Sequence, residues 1–335
     1  MQTLSTDTKK RSLLGGGLGM VTNNKRYIFW FWLLDLLLAY FGTSAFRETA
    51  HSMLDHSAYS DRLLHGFDLA VLIEFLAHPE SGPMVTMTTP AVCLAIVFFL
   101  LTALFLPGVL QGYASTYRLP RDDFFRACGR NLWRFIRLMI IAGIVMGIVA
   151  GLLFTLNGAL IDKAGESTNE LLPFEVQVAG LFVIFLVMTT LRIGFDLAEA
   201  DIVLSDQRAV RKAIAAGFRH TIRSLFRLLL SYCVATLFAA ILLVGGLWCW
   251  IHFVPSDAVV RAFLMSQLIL LLLLIPRFWQ RGIAVSYWQQ RMLVPVVAMQ
   301  AIESAPVPEA SVAPTPVPEP APIIAGPTPP PEEAH

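Results

Sequence analysis

The chain has 335 residues, of which 56% are hydrophobic and only 15% are charged. A soluble domain has roughly a quarter charged residues, and a single core of this length could not enclose so much apolar surface. The formal net charge of +1 excludes a general electrostatic attraction to nucleic acid.

Six apolar stretches are long enough to cross about 30 Å of hydrocarbon as helices. None has the strict alternation of a barrel strand. The sequence therefore predicts an all-α fold, a polytopic membrane bundle of six transmembrane helices at about 27–46, 88–113, 137–158, 174–195, 226–252 and 258–280. It also predicts three parts: a cytoplasmic segment 1–26, the membrane domain 27–292, and a proline-rich disordered tail 293–335.

Lysine and arginine fall almost entirely on one side of this predicted bundle. All but four of the 25 basic residues lie before span one, between spans two and three or between spans four and five (the adjoining span ends included), or at and after the end of span six. The exceptions are Arg47, Arg62, Lys163 and Arg261. Because basic loops are retained in the cytoplasm, both termini are predicted to be cytoplasmic, which an even number of crossings requires.

Asp35 interrupts the first apolar stretch about two turns from its start. A carboxylate near mid-membrane costs at least about 2.5 kcal/mol, so it should be neutralised, paired or hydrated. One interpretation is a proton- or cation-coupling site with either Gln267 of span six or the Thr189–Thr190 pair of span four nearby. The other is a protonated or hydrogen-bonded aspartate that joins two helices.

The external loop predicted over residues 47–87 contains four of the seven histidines. Its imidazole and carboxylate groups make weak candidates for a metal site: His51, Asp55, His56 and His65. A closed site needs three or four converging ligands, and no recognised spacing of such ligands occurs. The favoured interpretation is an apolar-faced helix over residues 61–78 with its polar groups in water, and neither a metal nor a cofactor is predicted.

Two basic connectors of the predicted bundle resemble each other. Both have arginines at helical spacing: Arg126, Arg130, Arg134 and Arg137 in the first, and Arg219, Arg223 and Arg227 in the second. An offset of 89 residues superposes Arg130 on Arg219 and Arg134 on Arg223, and predicts an internal repeat of helical hairpins. The arginines either bind anionic phospholipid or a protein partner, or simply anchor the helices by the positive-inside rule.

Glycines recur four residues apart in span three, at Gly143, Gly147 and Gly151. Such spacing removes side chains from one helix face and lets another backbone approach closely. The neighbour is either a helix of the same chain, which is favoured in a six-span protein, or a second copy in a homo-oligomer.

Three segments are similar to known proteins: Asp-Arg-Leu-Leu-His-Gly-Phe-Asp at 61–68, Phe-Phe-Arg-Ala-Cys-Gly-Arg at 124–130, and Asp-Leu-Ala-Glu-Ala-Asp at 196–201. Through them the region 27–292 resembles multi-span bacterial inner-membrane proteins. It is also distantly similar to the membrane domain fused to some glycerophosphodiester phosphodiesterases. The resemblance implies a bacterial plasma membrane location but no established activity, and the chemistry of the phosphodiesterase domain does not carry over.

Two functions are therefore predicted as alternatives. The sequence contains no phosphate loop, nucleophile elbow or metalloprotease helix, which favours a non-enzymatic role. The first alternative is a scaffold that organises anionic phospholipid or a protein partner through the basic connectors. The second is a small-solute transporter or channel that uses Asp35 at a repeat interface.

Overall fold

The computed structural model describes residues 12–54, 83–115, 118–167, 169, 171–255 and 258–293. Within these ranges the chain forms eight α-helices and no strand. They are α1 (Leu13–Asn23), α2 (Lys25–Leu54), α3 (Pro83–Ala114), α4 (Arg121–Gly165), α5 (Leu172–Leu204), α6 (Val210–Arg223), α7 (Leu225–Phe253) and α8 (Val259–Trp288). A short π-helical turn, Gln289–Leu293, follows α8.

Five of the described helices are long and apolar enough to cross a membrane: α3, α4, α5, α7 and α8. The mean hydropathy of their most apolar windows is 2.1 to 2.7. Large apolar side chains on these helices are exposed, among them Ile148, Leu152 and Val244 at 66 to 68%. Such a surface is unfavourable in water but suits contact with lipid, so the chain is an all-α, multi-pass membrane protein.

The predicted spans fall on helices of the structure, but the helices are longer than predicted. Span one lies within α2, which continues to Leu54 and so enters the stretch predicted as an external loop. Helix α3 runs past Pro107 and ends at Ala114. Helix α2 is not among the five apolar helices, so the sixth crossing stays a prediction. The predicted helix over 61–78 and the tail from 294 onward lie outside the described residues.

The two basic connectors differ in their backbone. The first is the beginning of α4, a continuous helix of 45 residues and roughly 67 Å. The second is the separate helix α6, which ends at Arg223. Ser224, with φ −125° and ψ 29°, breaks the helical path before α7. A similar break at Asn24, with φ −121° and ψ 40°, separates α1 from α2.

Most of the buried residues lie at one end of the bundle. We name this region the connector end; it consists of α1, α6, the first turns of α2, α4 and α7, and the C-terminal turns of α3, α5 and α8. Residues 193–203 of α5 and 278–288 of α8 are buried at every position. By contrast, only 6% of the apolar window of α4 is buried. The connector end is therefore the packed core, and the apolar bodies of the helices extend away from it.

Helix α1 closes against α8 by a close approach of backbones. Gly17 faces Gly282, and a Cβ atom on Gly17 would stand 2.8 Å from the amide nitrogen of Ile283. Trp279 of α8 donates a hydrogen bond from Nε1 to the carbonyl oxygen of Leu14 at 2.9 Å. A polar side chain thereby joins two elements that lie at opposite ends of the described chain.

Two further pairs of helices meet in the same way at the connector end. Gly217 of α6 lies against α5, where a Cβ atom on it would stand 2.5 Å from the carbonyl oxygen of Gly194. Gly108 of α3 faces α4, where a Cβ atom on Gly108 would stand 2.7 Å from the sulfur of Cys128. In each case a missing or small side chain allows a connector helix to lie directly on a long apolar helix.

Candidate functional site

A polar cavity of about 520 Å³ lies between α4, α5, α7 and α8, next to the connector end. Its charged lining comes from two helices: Arg192, Asp196 and Glu199 of α5, and Arg277 and Arg281 of α8. Residues three and four apart share one helix face, so each helix directs its charged groups to the same side. Helix α4 contributes an apolar wall through Met139, Ala142 and Met146. The cavity combines charged groups with an apolar wall, as ligand sites commonly do.

Asp196 is the best-satisfied charged group of this cavity. Its Oδ2 atom accepts a hydrogen bond of 2.9 Å from the hydroxyl of Tyr232, which is completely buried. The same oxygen lies 3.8 Å from Nε of Arg192, one helical turn earlier on α5. These contacts link α5 to α7 and hold the carboxylate in one position.

Two other groups of the cavity are buried without complete hydrogen bonding. Glu199 and Arg281 are each 9% exposed. Among the described residues, neither Oε2 of Glu199 nor Nε of Arg281 has a hydrogen-bond partner. A buried polar atom without a partner costs about 1–3 kcal/mol, so the fold retains these groups at an energetic disadvantage. Such groups are candidates for contact with a ligand.

No contact between Asp35 and Gln267, the predicted intramembrane pair, is found among the described residues, and their pairing stays a prediction. Asp35 of α2 is half-buried and lies within electrostatic range of Arg277 of α8. Gln267 lies ten residues before Arg277 on the same helix, which is about 15 Å along the helix axis. The structure therefore relates Asp35 to a cation that lines the cavity.

The predicted contact arginines lie at the connector end, and most of them are exposed. Arg126, Arg130, Arg137, Arg219, Arg223 and Arg227 belong to this exposed set. Arg137 covers the ring of Trp133 at 5.0 Å from the ring centroid. Arg134 is different, because its side chain is only 22% exposed and donates to Oδ1 of Asp206 at 2.6 Å.

The Arg134–Asp206 pair makes a pH-dependent contribution to stability. The hydrogen bond from Arg134 holds the pKa of Asp206 below its usual value. The pair therefore stabilises the fold above the unfolded-state pKa of Asp206, and this contribution is lost as the pH falls through the lower folded-state value. We expect Asp206→Asn to reduce the unfolding free energy by only about 0.5 kcal/mol at pH 7, because the Asp206 side chain is 49% exposed and water weakens the ion pair.

Thermal unfolding of the purified protein at pH 7 and at pH 3 measures this effect. Asparagine tolerates the positive φ of 51° at residue 206, so the substitution removes only the charge. The difference between wild type and variant should be smaller at pH 3. A difference that is equal at both pH values would contradict the ion-pair explanation.

The glycine repeat of span three lies on α4 away from the described core. No described atom outside the helix's own backbone lies within 4 Å of a Cβ atom built on Gly143, Gly147 or Gly151. Within the described residues this face therefore has no neighbour in the same chain. Its role in packing, including packing against a second copy, stays a prediction.

The weak metal candidates are mostly outside the described residues. Asp55, His56 and His65 lie in the range 55–82, and His51 lies on α2, where the backbone alone is described. Among the residues that the structure describes, no group of three His, Cys, Asp or Glu side chains is arranged to hold a metal ion.

Sequence reasoning missed the polar cavity because it assigned Arg192, Arg277 and Arg281 to cytoplasmic connectors. The signal available was the pair Asp196 and Glu199 within an otherwise apolar run, with basic residues at similar positions on another helix. Which helix faces which could not be read from that pattern. Comparison of the chain with known protein families, with curated proteins and with solved structures found no match.

Proposed function

We propose that this protein is a non-enzymatic component of a bacterial inner membrane that organises anionic phospholipid at its connector end. The observation that carries the proposal is the pairing of exposed arginines with exposed apolar side chains. Beside Arg219 and Arg223, the side chains of Ile222 and Phe226 are 72% and 82% exposed. A surface of this kind suits the headgroup layer, where apolar groups enter the lipid and arginines meet phosphate.

The beginning of α4 supports the same location. Phe125 and Trp133 are 54% and 63% exposed among the arginines of this segment. Tryptophan and arginine are both favoured at the interface between hydrocarbon and water. A second cavity, of about 360 Å³ and almost entirely apolar, lies beside Phe125 between α2, α3 and α4. Its volume and lining suit part of an acyl chain.

Six crossings with both termini in the cytoplasm form part of this proposal. Helix α2 has 30 residues, which is about 45 Å and more than the hydrocarbon thickness. The break at Asn24 gives α1 a path along the surface before α2 enters the membrane. Six crossings place all the arginine-rich segments on one side, as the positive-inside rule requires.

A threefold repeat of helical hairpins is also proposed. The pairs are α2 with α3, α4 with α5, and α7 with α8. A connector segment precedes each pair: α1, the beginning of α4, and α6. Each connector segment packs on the second helix of another pair: α1 on α8, the beginning of α4 on α3, and α6 on α5. The beginnings of α4 and α6, at Arg121 and Val210, are separated by the offset that relates the two arginine patterns. These contacts form a closed ring.

Removal of arginine from the connector end tests the proposed lipid function. We expect Arg130→Gln combined with Arg219→Gln to weaken phosphatidylglycerol binding roughly 30-fold, because each arginine near an anionic surface contributes about 1 kcal/mol. Native mass spectrometry of protein released from nanodiscs of mixed phosphatidylglycerol and phosphatidylcholine would count the lipids that remain bound.

The matched control is Lys163→Gln combined with Arg261→Gln, because both of these residues are exposed at the opposite end of the bundle. This control should retain wild-type lipid binding. Reporter fusions after α3 and after α5 should locate both connectors in the cytoplasm in wild type and variants. Equal lipid retention by the two double variants would refute the lipid function, and reporters in opposite compartments would refute six crossings.

A further inference from the structure

The polar cavity between α4, α5, α7 and α8 contains more cationic than anionic groups. Three arginines and two carboxylates line it, so the formal charge of its lining is positive. Asp196 is already engaged by Tyr232 and Arg192. Among the described residues, neither Arg277 nor Arg281 lies within ion-pair distance of a carboxylate. Two guanidinium groups are therefore available to an anion.

We infer that this cavity binds a phosphate ester that also carries a hydroxyl group. Guanidinium groups offer paired N–H donors in a planar arrangement that matches two oxygens of a phosphate group. Arg281 is more than nine-tenths buried, and its Nε atom has no partner among the described residues. Its donor is thus held in place before any ligand arrives.

The hydroxyl group follows from Glu199. Its Oε2 atom is buried and has no donor among the described residues. A fully ionised phosphate ester has no O–H to donate to Oε2, whereas a ligand hydroxyl has one. Glu199 lies one helical turn from Asp196 and two turns from Arg192 on α5. The acceptor and the arginines therefore line one cavity and can contact two parts of one small molecule.

The turn of α8 that follows Pro276 directs two arginines, Arg277 and Arg281, to the cavity side of the helix. Pro276 lies inside α8 and cannot donate a backbone hydrogen bond, so the helix is weakened at this point. Arg277, Gln280 and Arg281 follow on one helix face. Gln280 donates to the hydroxyl of Thr236 on α7 at 3.0 Å, which fixes this turn of α8 against its neighbour.

The phosphate ester has two possible sources, a phospholipid headgroup and a soluble metabolite. The apolar wall of α4, with Met139, Ala142 and Met146, suits the glycerol end of a lipid, and a soluble ester would occupy the polar side alone. Two probes separate them. One is phosphatidylglycerol in nanodiscs of phosphatidylcholine, and the other is glycerol 3-phosphate added to protein in nanodiscs of phosphatidylcholine alone.

The test measures binding of both probes to the full chain by native mass spectrometry and calorimetry. We expect Arg277→Gln combined with Arg281→Gln to reduce the affinity for one probe at least tenfold. Arg281→Lys keeps a positive charge but loses the paired donors, so it should weaken binding less and keep the fold intact. The matched control is Arg291→Gln, which removes an exposed charge beyond α8.

Arginine-dependent binding of either probe supports the site and identifies its source. Absence of binding by both probes, or equal binding by wild type, Arg281→Lys and the double variant, would overturn the inference. The cavity residues are separate from Arg130 and Arg219, so the two proposals can fail independently. If phosphatidylglycerol retention depends on Arg130 and Arg219 alone, the lipid function stands and the cavity is not its site.

Discussion

Replacement of Gly17 by leucine is expected to destabilise the protein by about 3 kcal/mol, which lowers the thermal midpoint by roughly 5 to 10 °C. A Cβ atom at this position would stand 2.8 Å from the amide nitrogen of Ile283 and 3.0 Å from the carbonyl carbon of Gly282. These are backbone atoms, so no change of rotamer relieves the clash. The two helices must separate, and the hydrogen bond from Trp279 to Leu14 would be strained with them.

Gly19→Leu is the matched control for this substitution. It lies on the same helix, and a Cβ atom on Gly19 would meet nothing within 4 Å. Thermal unfolding in one detergent, followed by loss of soluble monomer on size exclusion, compares the two variants directly. Equal midpoints for Gly17→Leu and Gly19→Leu would show that α1 does not close against α8.

The same comparison applies to the interface between α6 and α5. Gly217→Leu places a side chain against the carbonyl oxygen of Gly194, whereas a Cβ atom on Gly129 would meet nothing within 4 Å. Under the threefold arrangement, Gly217→Leu should be as damaging as Gly17→Leu, and Gly129→Leu should be tolerated. A large effect at only one of the two interfaces would count against equivalent hairpins.

Asp196→Ala is expected to cost about 3 kcal/mol, because it removes the partner of two groups at once. The buried hydroxyl of Tyr232 would lose its acceptor, and Arg192 would lose the nearby carboxylate. Asp196→Asn keeps an oxygen that accepts from Tyr232 and removes only the charge. We therefore expect the asparagine variant to be clearly more stable than the alanine variant.

A double-mutant cycle assigns the loss to the contact with Tyr232. Once the hydroxyl is absent in Tyr232→Phe, Asp196→Ala no longer leaves a buried donor without an acceptor, so it should cost less than in the wild type. Unfolding free energies from thermal or denaturant titration of the four proteins give the coupling. Independent, additive effects of the two substitutions would mean that the 2.9 Å hydrogen bond contributes little to stability.

The sequence by itself determined the membrane-spanning helices, because hydropathy over about twenty residues is a local property. Predicted spans two to six fall on the five described helices that are apolar enough to cross a membrane. The arginine patterns likewise identified segments that lie at the connector end. These predictions needed no knowledge of which helix lies beside which.

Tertiary structure decided where helices meet closely and where charge is buried. Among the described residues, close helix contacts occur at Gly17, Gly108 and Gly217, outside the regular repeat of Gly143, Gly147 and Gly151, whose role in packing stays a prediction. Arg281 is an arginine just after a predicted span, where the positive-inside rule predicts an exposed connector residue. In the structure its side chain is only 9% exposed and lines a cavity formed by four helices. Whether a side chain faces water, lipid or another helix depends on neighbours distant in the chain, and a single sequence does not specify that pairing.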